Sequence, residues 1–434
     1  MAFRKFQDFL SGLVKGQRSF FFSASDKPSM DELLDKLMGT TGEVSAIVTA
    51  RELLDRYGES DTESRLAFFN KLEQDFNAAE AEVRLAFDLY SKVPSSANLN
   101  RLSRVTEPRR HELLRRINQT PGATHDLVSM RTDLLKLLKE NPHLRAVDED
   151  FVRMFSSWFG RGFLVLDIID WSTSAAILER IIRYEAVHEI KDWDDLRSRI
   201  EPLNRRCFAF FHPALTDEPL IFVEVALGHG IPASIESILE DAKNGSADVP
   251  ELPDFTSATF YSISNCQPGL KNISFGNFLI KQVVQLLQSE FPTIKQFVTL
   301  SPIPGFDRWL EVDNDDESVG IAMLKEKVRQ IDSEPEAISE NAHMIKRLVF
   351  NYLSQAKRGK YPLDPVSRFH LGNGAMIHQL HGSADLSAKG LQQSRGTMVN
   401  YLYDLSTIEQ NHERYVTQGD IEFNDKLKPL LIKE

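Results

Sequence analysis

The hydrophobic pattern of this 434-residue chain changes near Gly160. From Met30 to about Met154, apolar residues recur every three or four positions, which is the spacing of one face of an α-helix. After Gly160, short runs rich in Val, Ile and Phe alternate with helical stretches, as expected for a sheet packed against helices. The pattern therefore predicts an α+β chain with two domains, a helical bundle at 1–160 and a domain with a mixed central sheet at 161–434.

The first domain is predicted to be helical throughout. Its segment 62–90 reads TESRLAFFNKLEQDFNAAEAEVRLAFDLY, and the apolar positions of this segment fall on one face of a single helix. A later helix is expected to end at Asn141-Pro142, because proline disfavours a helical conformation at the residue before it. Apolar faces of this kind must pack on other helices.

Five short runs in the second domain are predicted strands, since they are rich in β-branched and aromatic residues and several are separated by helical patterns. They are FLVLDIID at 163–170, CFAFFH at 207–212, PLIFVEVAL at 219–227, ATFYSIS at 258–264 and QFVTL at 296–300.

Composition argues against several classes of protein. A formal net charge of −12 is unfavourable for binding a nucleic-acid backbone. No apolar run reaches the roughly 18 residues that a membrane-spanning helix needs. Cys207 and Cys266 are too few for a disulfide framework, which is typical of a reducing compartment. We expect a soluble protein with neither a nucleic-acid nor a membrane partner, although the basic start MAFRKFQDFLSGLVKGQRSFFFSAS leaves an organelle-targeting segment open.

The segment from Ala258 to Phe306 has the order expected of a phosphate-binding unit. The strand ATFYSIS leads through the loop NCQPGLKNISFGN into a helix that begins near Phe278. The free N–H groups at a helix N-terminus favour an anion, and Gly269 and Gly276 would let a ligand approach the backbone closely. Two glycines at this spacing are also compatible with ordinary turns, so both interpretations stay open.

Ser301 lies at the end of the second strand of that unit. The strand QFVTL is predicted to run parallel to ATFYSIS, and in open α/β sheets ligands bind at the carboxyl ends of such strands. Pro302 and Pro304-Gly305 make the following corner stiff. Ser301 is therefore either a functional hydroxyl of a ligand site or a turn or helix-cap residue.

Three histidines lie close together near a Gly-Asn-Gly turn, namely His370, His378 and His381. The turn after His370 argues against one helix that presents His370 and His378 to a metal ion. His370 is either a structural histidine or a residue that approaches a ligand beside the turn. Further along, the segment NYLYDL supplies polar neighbours or simple packing residues, namely Asn400, Tyr401 and Tyr403.

Four segments resemble the malonyl-CoA decarboxylase family. They are YEAVHEIKDWDDLRSRIEPLNRRCFAFFHP at 184–213, GNFLIKQVVQLLQSEFPTIKQFVTLSPIPGF at 276–306, RFHLGNGA at 368–375 and ADLSAKGLQQSRGTMVNYLYDL at 384–405. The resemblance runs from about residue 160 to residue 405, and the string LSPIPGF is its most specific part.

The resemblance implies an N-terminal helical domain that drives assembly into a homotetramer and a C-terminal domain with the acyl-CoA N-acetyltransferase fold. It implies the conversion of malonyl-CoA into acetyl-CoA and carbon dioxide without a metal or an organic cofactor. Family members from animals carry organelle signals, whereas the end of this chain, LLIKE, carries none. A cytoplasmic protein of bacterial type is therefore expected.

By the same resemblance, the family's catalytic serine falls on Ser301 and its catalytic histidine on His370. The acyl-CoA-binding segment of the family falls on seven consecutive positions, which are Lys271, Asn272, Ile273, Ser274, Phe275, Gly276 and Asn277. The acetyltransferase fold usually has a denser glycine pattern in this loop, so the resemblance does not assign the individual phosphate-binding groups.

The expected mechanism divides the chemistry between the two residues. Ser301 would orient the malonyl group by its carboxylate or its carbonyl oxygen, and His370, with an ordinary pKa of about 6.5, would protonate the enolate at C2. Two other functions stay open. One is a true N-acetyltransferase, because one fold supports several activities. The other is a non-catalytic acyl-CoA sensor whose helical domain carries a regulatory partner.

Overall fold

The structure, a computed structural model, describes residues 28–243, 254–273, 279–313 and 317–432. The basic segment at the start of the chain lies outside the described residues, so the possible targeting segment stays a hypothesis. The chain divides into two compact units. The helical unit comprises Met1–Val165, Phe211–Glu218 and Gln267–Ser274, and the sheet unit comprises Leu166–Phe210, Pro219–Cys266 and Phe275–Glu434.

Residues 30–158 of the helical unit are helical, as predicted, apart from short connections. Its helices are α1 Met30–Gly39, α2 Glu43–Glu59, α3 Thr62–Asp75, α4 Glu80–Lys92, α5 Ser96–Val105, α6 Arg109–Asn118, α7 Ala123–Leu137 and α8 Arg145–Trp158. Side-chain oxygens of Ser29, Asp61 and Ser95 accept backbone N–H groups at the starts of α1, α3 and α5, which satisfies donors that a helix leaves free. Buried aromatic rings such as Phe69 and Phe151 fill the space between the helices.

The prediction of a single helix over 62–90 is wrong, because α3 ends at Asp75 and α4 begins at Glu80. The Asn77 amide donates to the Glu73 carbonyl at 2.6 Å. The Arg110 backbone N–H donates to the Phe76 carbonyl at 3.1 Å, and the Arg110 side chain donates to the Leu72 carbonyl at 3.1 Å. These donors occupy the carbonyls that a continuing helix would use, so the chain turns here.

The sheet unit alternates strands and helices. Its described helices are α9 Ala175–Tyr184, α10 Trp193–Ile200, α11 Ile235–Lys243, α12 Leu279–Glu290, α13 Phe306–Leu310, α14 Val319–Arg329, α15 Pro335–Glu340, α16 Ala342–Gln355, α17 Pro365–Gly372, α18 Ala388–Ser394 and α19 Ile408–Gln418. The strands are β1 Val165–Ile169, β2 Arg205–Phe211, β3 Pro219–Gly228, β4 Ser257–Asn265, β5 Gln296–Thr299, β6 Lys357–Arg358, β7 Tyr361–Pro362, β8 Met376–His381 and β9 Met398–Leu402.

Seven strands form one sheet in the order β1-β2-β3-β4-β5-β9-β8, and β6 and β7 pair separately. All five predicted strands are confirmed. The pair β4 and β5 is parallel, with Thr259 beside Val298, whereas β9 runs antiparallel to both β5 and β8. The sheet is therefore mixed, and the predicted α+β architecture is confirmed.

The core of the sheet unit forms on buried faces of its strands and helices. Helix α12 buries one apolar face, formed by Leu279, Ile280, Val283, Val284 and Leu287. Another buried cluster joins Tyr261 of β4, Leu300 just after β5 and Met398 of β9. Over the described ranges, every helix is too short or too polar to cross a membrane.

Candidate active site

Ser301 sits on a corner that the backbone fixes. Strand β5 ends at Thr299, and Ser301 then forms an isolated antiparallel bridge with Val399 of β9. The Ser301 N–H donates to the Val399 carbonyl at 2.9 Å, and the Val399 N–H donates to the Ser301 carbonyl at 3.0 Å. Pro302 and Pro304 restrict the backbone that follows. The hydroxyl therefore lies on a stiff and almost fully buried position, with the residue 5% exposed.

His370 lies in the last turn of α17. This helix begins with an Asp364 cap and Pro365 in its first turn, a favourable pair for a helix start. It ends at Gly372, and Gly374 then adopts a φ of +84°, where a Cβ would lie 2.0 Å from the Ile408 carbonyl oxygen. Only glycine fits this turn. His370 and His378 accordingly occupy different elements, as the Gly-Asn-Gly turn predicted.

The structure brings the side chains of Ser301 and His370 together. The Ser301 Oγ atom lies 3.1 Å from His370 Nε2 and donates to Thr299 Oγ1 at 2.8 Å. On the other side of the imidazole, His370 Nδ1 lies 2.7 Å from the Tyr403 hydroxyl. The Tyr401 ring stacks on the imidazole with centroids 4.5 Å apart and planes 23° apart. Both nitrogens and one face of the ring are therefore held in place.

Ser301 and His370 line one cavity of about 260 Å³ within the sheet unit. Most of its wall is apolar, and the polar exceptions apart from Ser301 and His370 are Tyr261 and Asn265. The apolar lining residues are Val187, Ile221, Phe260, Ile263, Leu300, Pro302, Pro365, Val366 and Phe369. Among the described residues that line this cavity there is no lysine, arginine, aspartate or glutamate. A ligand carboxylate would therefore be taken from water without a cationic partner in this wall.

Burial controls the protonation state of the site. The loss of solvent around the imidazole lowers the pKa of His370 to about 3, because a low-polarity environment disfavours the charged form. His370 is therefore neutral at pH 7, in contrast to the ordinary pKa expected from sequence. Burial also raises the pKa of Tyr403 well above its usual range, so that its phenol keeps its proton.

The predicted acyl-CoA segment is described only in part. Lys271, Asn272 and Ile273 belong to the helical unit, whereas Ser274, Phe275, Gly276 and Asn277 lie outside the described residues.

Gly269 has a packing role in the helical unit. A Cβ on Gly269 would lie 1.9 Å from the Val128 carbonyl oxygen of α7, so glycine is required for this close approach of two backbones. The Arg131 side chain donates to the Gly269 and Lys271 carbonyls at 2.7 and 2.9 Å. Packing against α7 therefore accounts for glycine at 269, which favours the turn interpretation for this residue.

The other two histidines have separate partners. His378 Nδ1 lies 3.3 Å from the Asn424 amide nitrogen, and His381 Nε2 lies 2.5 Å from the Asn400 amide oxygen. Asn400 is thereby a structural partner within the sheet.

Tyr401 and Tyr403 were predicted only as polar neighbours or packing residues, and no sequence pattern singled out Thr299. The spacing of the two tyrosines nevertheless contains a signal. Residues two apart on a strand face the same side, so the alternation of Tyr401 and Tyr403 predicts that both rings meet whatever packs against that face of β9.

Two family models match most of the chain. The family model described as malonyl-CoA decarboxylase C-terminal domain matches residues 162–434, and the corresponding N-terminal domain model matches residues 76–159. A curated relative, mitochondrial malonyl-CoA decarboxylase from Rattus norvegicus, is 36% identical over 361 residues, which is 76% of this chain and 73% of the relative.

Solved structures are similar along most of the chain. The crystal structure of malonyl-CoA decarboxylase from Rhodopseudomonas palustris is 44% identical, covers 93% of this chain and 100% of its own, and has a TM-score of 0.85. The structure from Agrobacterium vitis is 43% identical with the same coverage and a TM-score of 0.83. The chain therefore belongs to the malonyl-CoA decarboxylase family and is an enzyme of that class.

Proposed function

We propose that this enzyme converts malonyl-CoA into acetyl-CoA and carbon dioxide, with Ser301 orienting the malonyl group and His370 protonating the enolate at C2. The observation that carries the two roles is the 3.1 Å approach of Ser301 Oγ to His370 Nε2 in the wall of one cavity. Membership of the family supports the substrate and the reaction.

The apolar cavity favours the loss of carbon dioxide. When the bond between C2 and the carboxylate breaks, its electron pair moves into the thioester carbonyl and the charge spreads over an enolate. A carboxylate that leaves water for this mainly apolar wall loses most of its hydration, whereas the dispersed charge of the transition state suffers less from the same surroundings. The described wall of the cavity, which lacks lysine and arginine, supports this step.

Ser301 supplies orientation. The bond that breaks must stand out of the plane of the thioester carbonyl so that its electrons can enter the π system. The Ser301 hydroxyl, on a backbone held by the bridge to Val399, can rotate its proton from Thr299 Oγ1 to an oxygen of the substrate. A fixed donor of this kind holds either the carboxylate or the carbonyl oxygen in the reactive geometry.

His370 acquires its proton together with the substrate. The free imidazole is neutral at pH 7 because burial lowers its pKa to about 3. A malonyl carboxylate in the cavity brings a negative charge close to the ring, and an opposite charge raises the pKa of a histidine. The imidazolium then donates to C2. Its positive charge and the negative charge of the enolate disappear in the same step, and solvent supplies the next proton.

Incubation of the purified enzyme with malonyl-CoA alone tests the reaction. We expect equal amounts of acetyl-CoA and carbon dioxide, and in deuterated water one deuterium in the acetyl methyl group. Product that appears only after an amine is added would indicate an acetyltransferase, and binding without product would indicate a sensor. Either result would overturn the proposal.

The variant S301A tests the orienting role. We expect kcat to fall more than KM rises, because the hydroxyl acts on the reactive geometry rather than on uniform binding. S318A is a matched control, since Ser318 caps α14 and loses the same hydroxyl outside the wall of the cavity. A rise in KM with an unchanged kcat would contradict the role given to Ser301.

The family also supports proposals on binding, assembly and location. Residues 271–277 form the acyl-CoA-binding segment, and the K271A variant, which removes an exposed cation, is expected to raise KM.

The enzyme is cytoplasmic and assembles as a homotetramer through its helical unit, where Leu85, Phe87 and Leu99 are exposed. Light scattering tests the assembly, since a tetramer has four times the 49.4 kDa of the chain.

A further inference from the structure

A buried carboxylate joins the two elements that carry the reactive side chains. Asp364 is completely buried and caps α17, the helix that holds His370. Its Oδ1 atom accepts the Ser367 N–H at 2.8 Å, and its Oδ2 atom accepts the Gly305 N–H at 3.4 Å. Gly305 is the last residue of the corner that begins at Ser301. One side chain therefore binds both the corner and the helix.

Helix α16 places a third group beside Asp364. The Tyr352 hydroxyl of α16 faces the Asp364 carboxylate. A Cβ on Gly305 would lie 2.2 Å from that hydroxyl oxygen and 3.4 Å from Asp364 Oδ2. Glycine is therefore required at 305 for the corner to reach the carboxylate and the phenol together.

We propose that Asp364 is a positioning residue that holds the Ser301 corner and the His370 helix in one arrangement, an inference that rests on the function proposed above for these two residues. Hydrogen bonds from N–H groups to a carboxylate are stronger than bonds to a neutral oxygen. They matter here because a shift of about 1 Å between reacting groups can lower a rate by roughly a hundredfold.

The charges around Asp364 fit this role. Burial raises its pKa to about 6, while the N–H donors and Arg368 on the same helix act in the opposite direction. The other ionisable groups that face it are Tyr352 of α16 and Tyr401 of β9, and both phenols keep their protons at neutral pH. Asp364 is therefore mainly ionised at pH 7 and becomes protonated below about pH 6.

This ionisation works against the stability of the fold. In the window between the ordinary pKa of an aspartate and about 6, the folded state binds the proton more tightly than the unfolded state. The contribution of Asp364 to stability therefore decreases as the pH rises through this window and stays low above it.

The variant D364N provides the test, because asparagine can still cap α17 and has the same shape. We expect kcat for malonyl-CoA to fall roughly ten- to a hundredfold, with KM little changed and with no decrease in the melting temperature at pH 7. In the wild type, kcat should decrease below about pH 6 because Asp364 becomes protonated. This decrease should be absent in D364N. The matched control is D61N, because Asp61 caps α3 with the same 2.8 Å bond, to Ser64 N–H, and should keep wild-type turnover.

Three results would overturn the inference. They are a wild-type kcat in D364N, a loss of turnover that merely follows a loss of folded protein, and an unchanged acid limb of the pH profile. Failure of the function proposed above can be told apart from failure of this inference, because S301A and H370N would then keep full turnover. Normal turnover in D364N while those two variants are inactive rejects the role of Asp364 alone.

A second pair of variants keeps the test valid if D364N folds poorly. In G305A the new methyl group meets the Tyr352 hydroxyl, and we expect a lower kcat. The double variant G305A/Y352F removes that oxygen and should recover part of the loss. Equal losses in the single and double variants would contradict the coupling of the corner, Tyr352 and Asp364.

Discussion

Two buried histidines show how differently the two units use the same side chain. His111 of α6 is 1% exposed and His370 of α17 is 3% exposed. His111 Nε2 lies 2.6 Å from Asp150 Oδ1, and its Nδ1 lies 3.2 Å from Glu107 Oε1. The nitrogens of His370 face only the hydroxyls of Ser301 and Tyr403. Burial is thus similar, but the charge of the partners is not.

The two histidines differ in the source of the negative charge that can face the imidazole. Asp150 also forms an ion pair with Arg110 at 2.5 Å, so the histidine of the helical unit belongs to a complete network of charges. His370 has no carboxylate among its hydrogen-bond partners in the described residues. A buried imidazole between hydroxyls stays neutral until a negatively charged ligand arrives. The first arrangement stabilises a fold, and the second suits the proton donor that we propose for an anionic substrate.

The largest effect is expected from H370N. General acid catalysis contributes about 10²- to 10⁴-fold, so kcat should fall by that factor while binding of CoA is retained. Because the pKa of His370 falls to about 3 in the folded protein, the unfolded state binds the proton more tightly at mildly acidic pH. His370 thus lowers stability as the pH falls, and the variant should melt higher than wild type at about pH 5.

Turnover assays and thermal melts at two pH values check both expectations for H370N. Normal turnover would remove His370 from the mechanism and would end the contrast with His111.

The variant D150N tests the other half of the comparison. Breaking a buried charge pair costs about 3–5 kcal/mol of stability, since Arg110 would be left without its carboxylate. Urea unfolding should show this loss, and turnover per folded molecule should not change. E112Q is the control, because its pair with Arg116 is half exposed and is worth about 0–1 kcal/mol. A catalytic defect in folded D150N would contradict the assignment of this network to stability.

The pH dependence of kcat/KM is expected to show a smaller but more specific effect. If the proton enters with the substrate, kcat/KM falls about tenfold for each pH unit above neutrality, because it reports the free enzyme. The quantity kcat should stay flatter, since the bound carboxylate raises the pKa of His370 in the complex. Initial rates across this range provide the measurement. A flat kcat/KM would contradict the uptake of the proton together with the substrate.

The smallest effect is expected from Y403F. Loss of one hydrogen bond to a neutral partner costs about 1 kcal/mol, so kcat should fall by less than about tenfold. The phenol holds the orientation of the imidazole through its 2.7 Å contact with Nδ1. Steady-state kinetics with malonyl-CoA is sufficient to measure this effect. A decrease as large as that of H370N would make Tyr403 part of the proton transfer itself.

The strands that were predicted correctly are those whose own residues favour a β conformation. The five strands from 163 to 300 are rich in β-branched and aromatic residues, and all five form. Strands β8 and β9 contain polar residues such as His381 and Asn400, which weaken the local signal. Asn400 is accommodated because its amide donates to the Thr299 carbonyl at 2.6 Å. That partner lies far away in sequence, so no local pattern reveals it.

Contacts with residues far away in sequence also limit the prediction of helix breaks and of the candidate site. The helix over 62–90 is interrupted by Arg110, a residue outside the segment. Ser301 and His370 were identified by their motifs, but their meeting depends on the pairing of Ser301 with β9. The low pKa of His370 arises from burial alone, and burial is a property of the folded chain.

The bridge between Ser301 and Val399 has a consequence for attempts to alter this enzyme. Strand β9 fixes the serine through Val399 and supports the imidazole through the ring of Tyr401, with Tyr403 just beyond its end. An insertion or deletion of one residue in 398–403 would send both aromatic rings to the opposite face of the sheet. Libraries aimed at bulkier acyl groups are therefore best restricted to wall positions such as Ile221 and Ile263, with the length of β9 left unchanged.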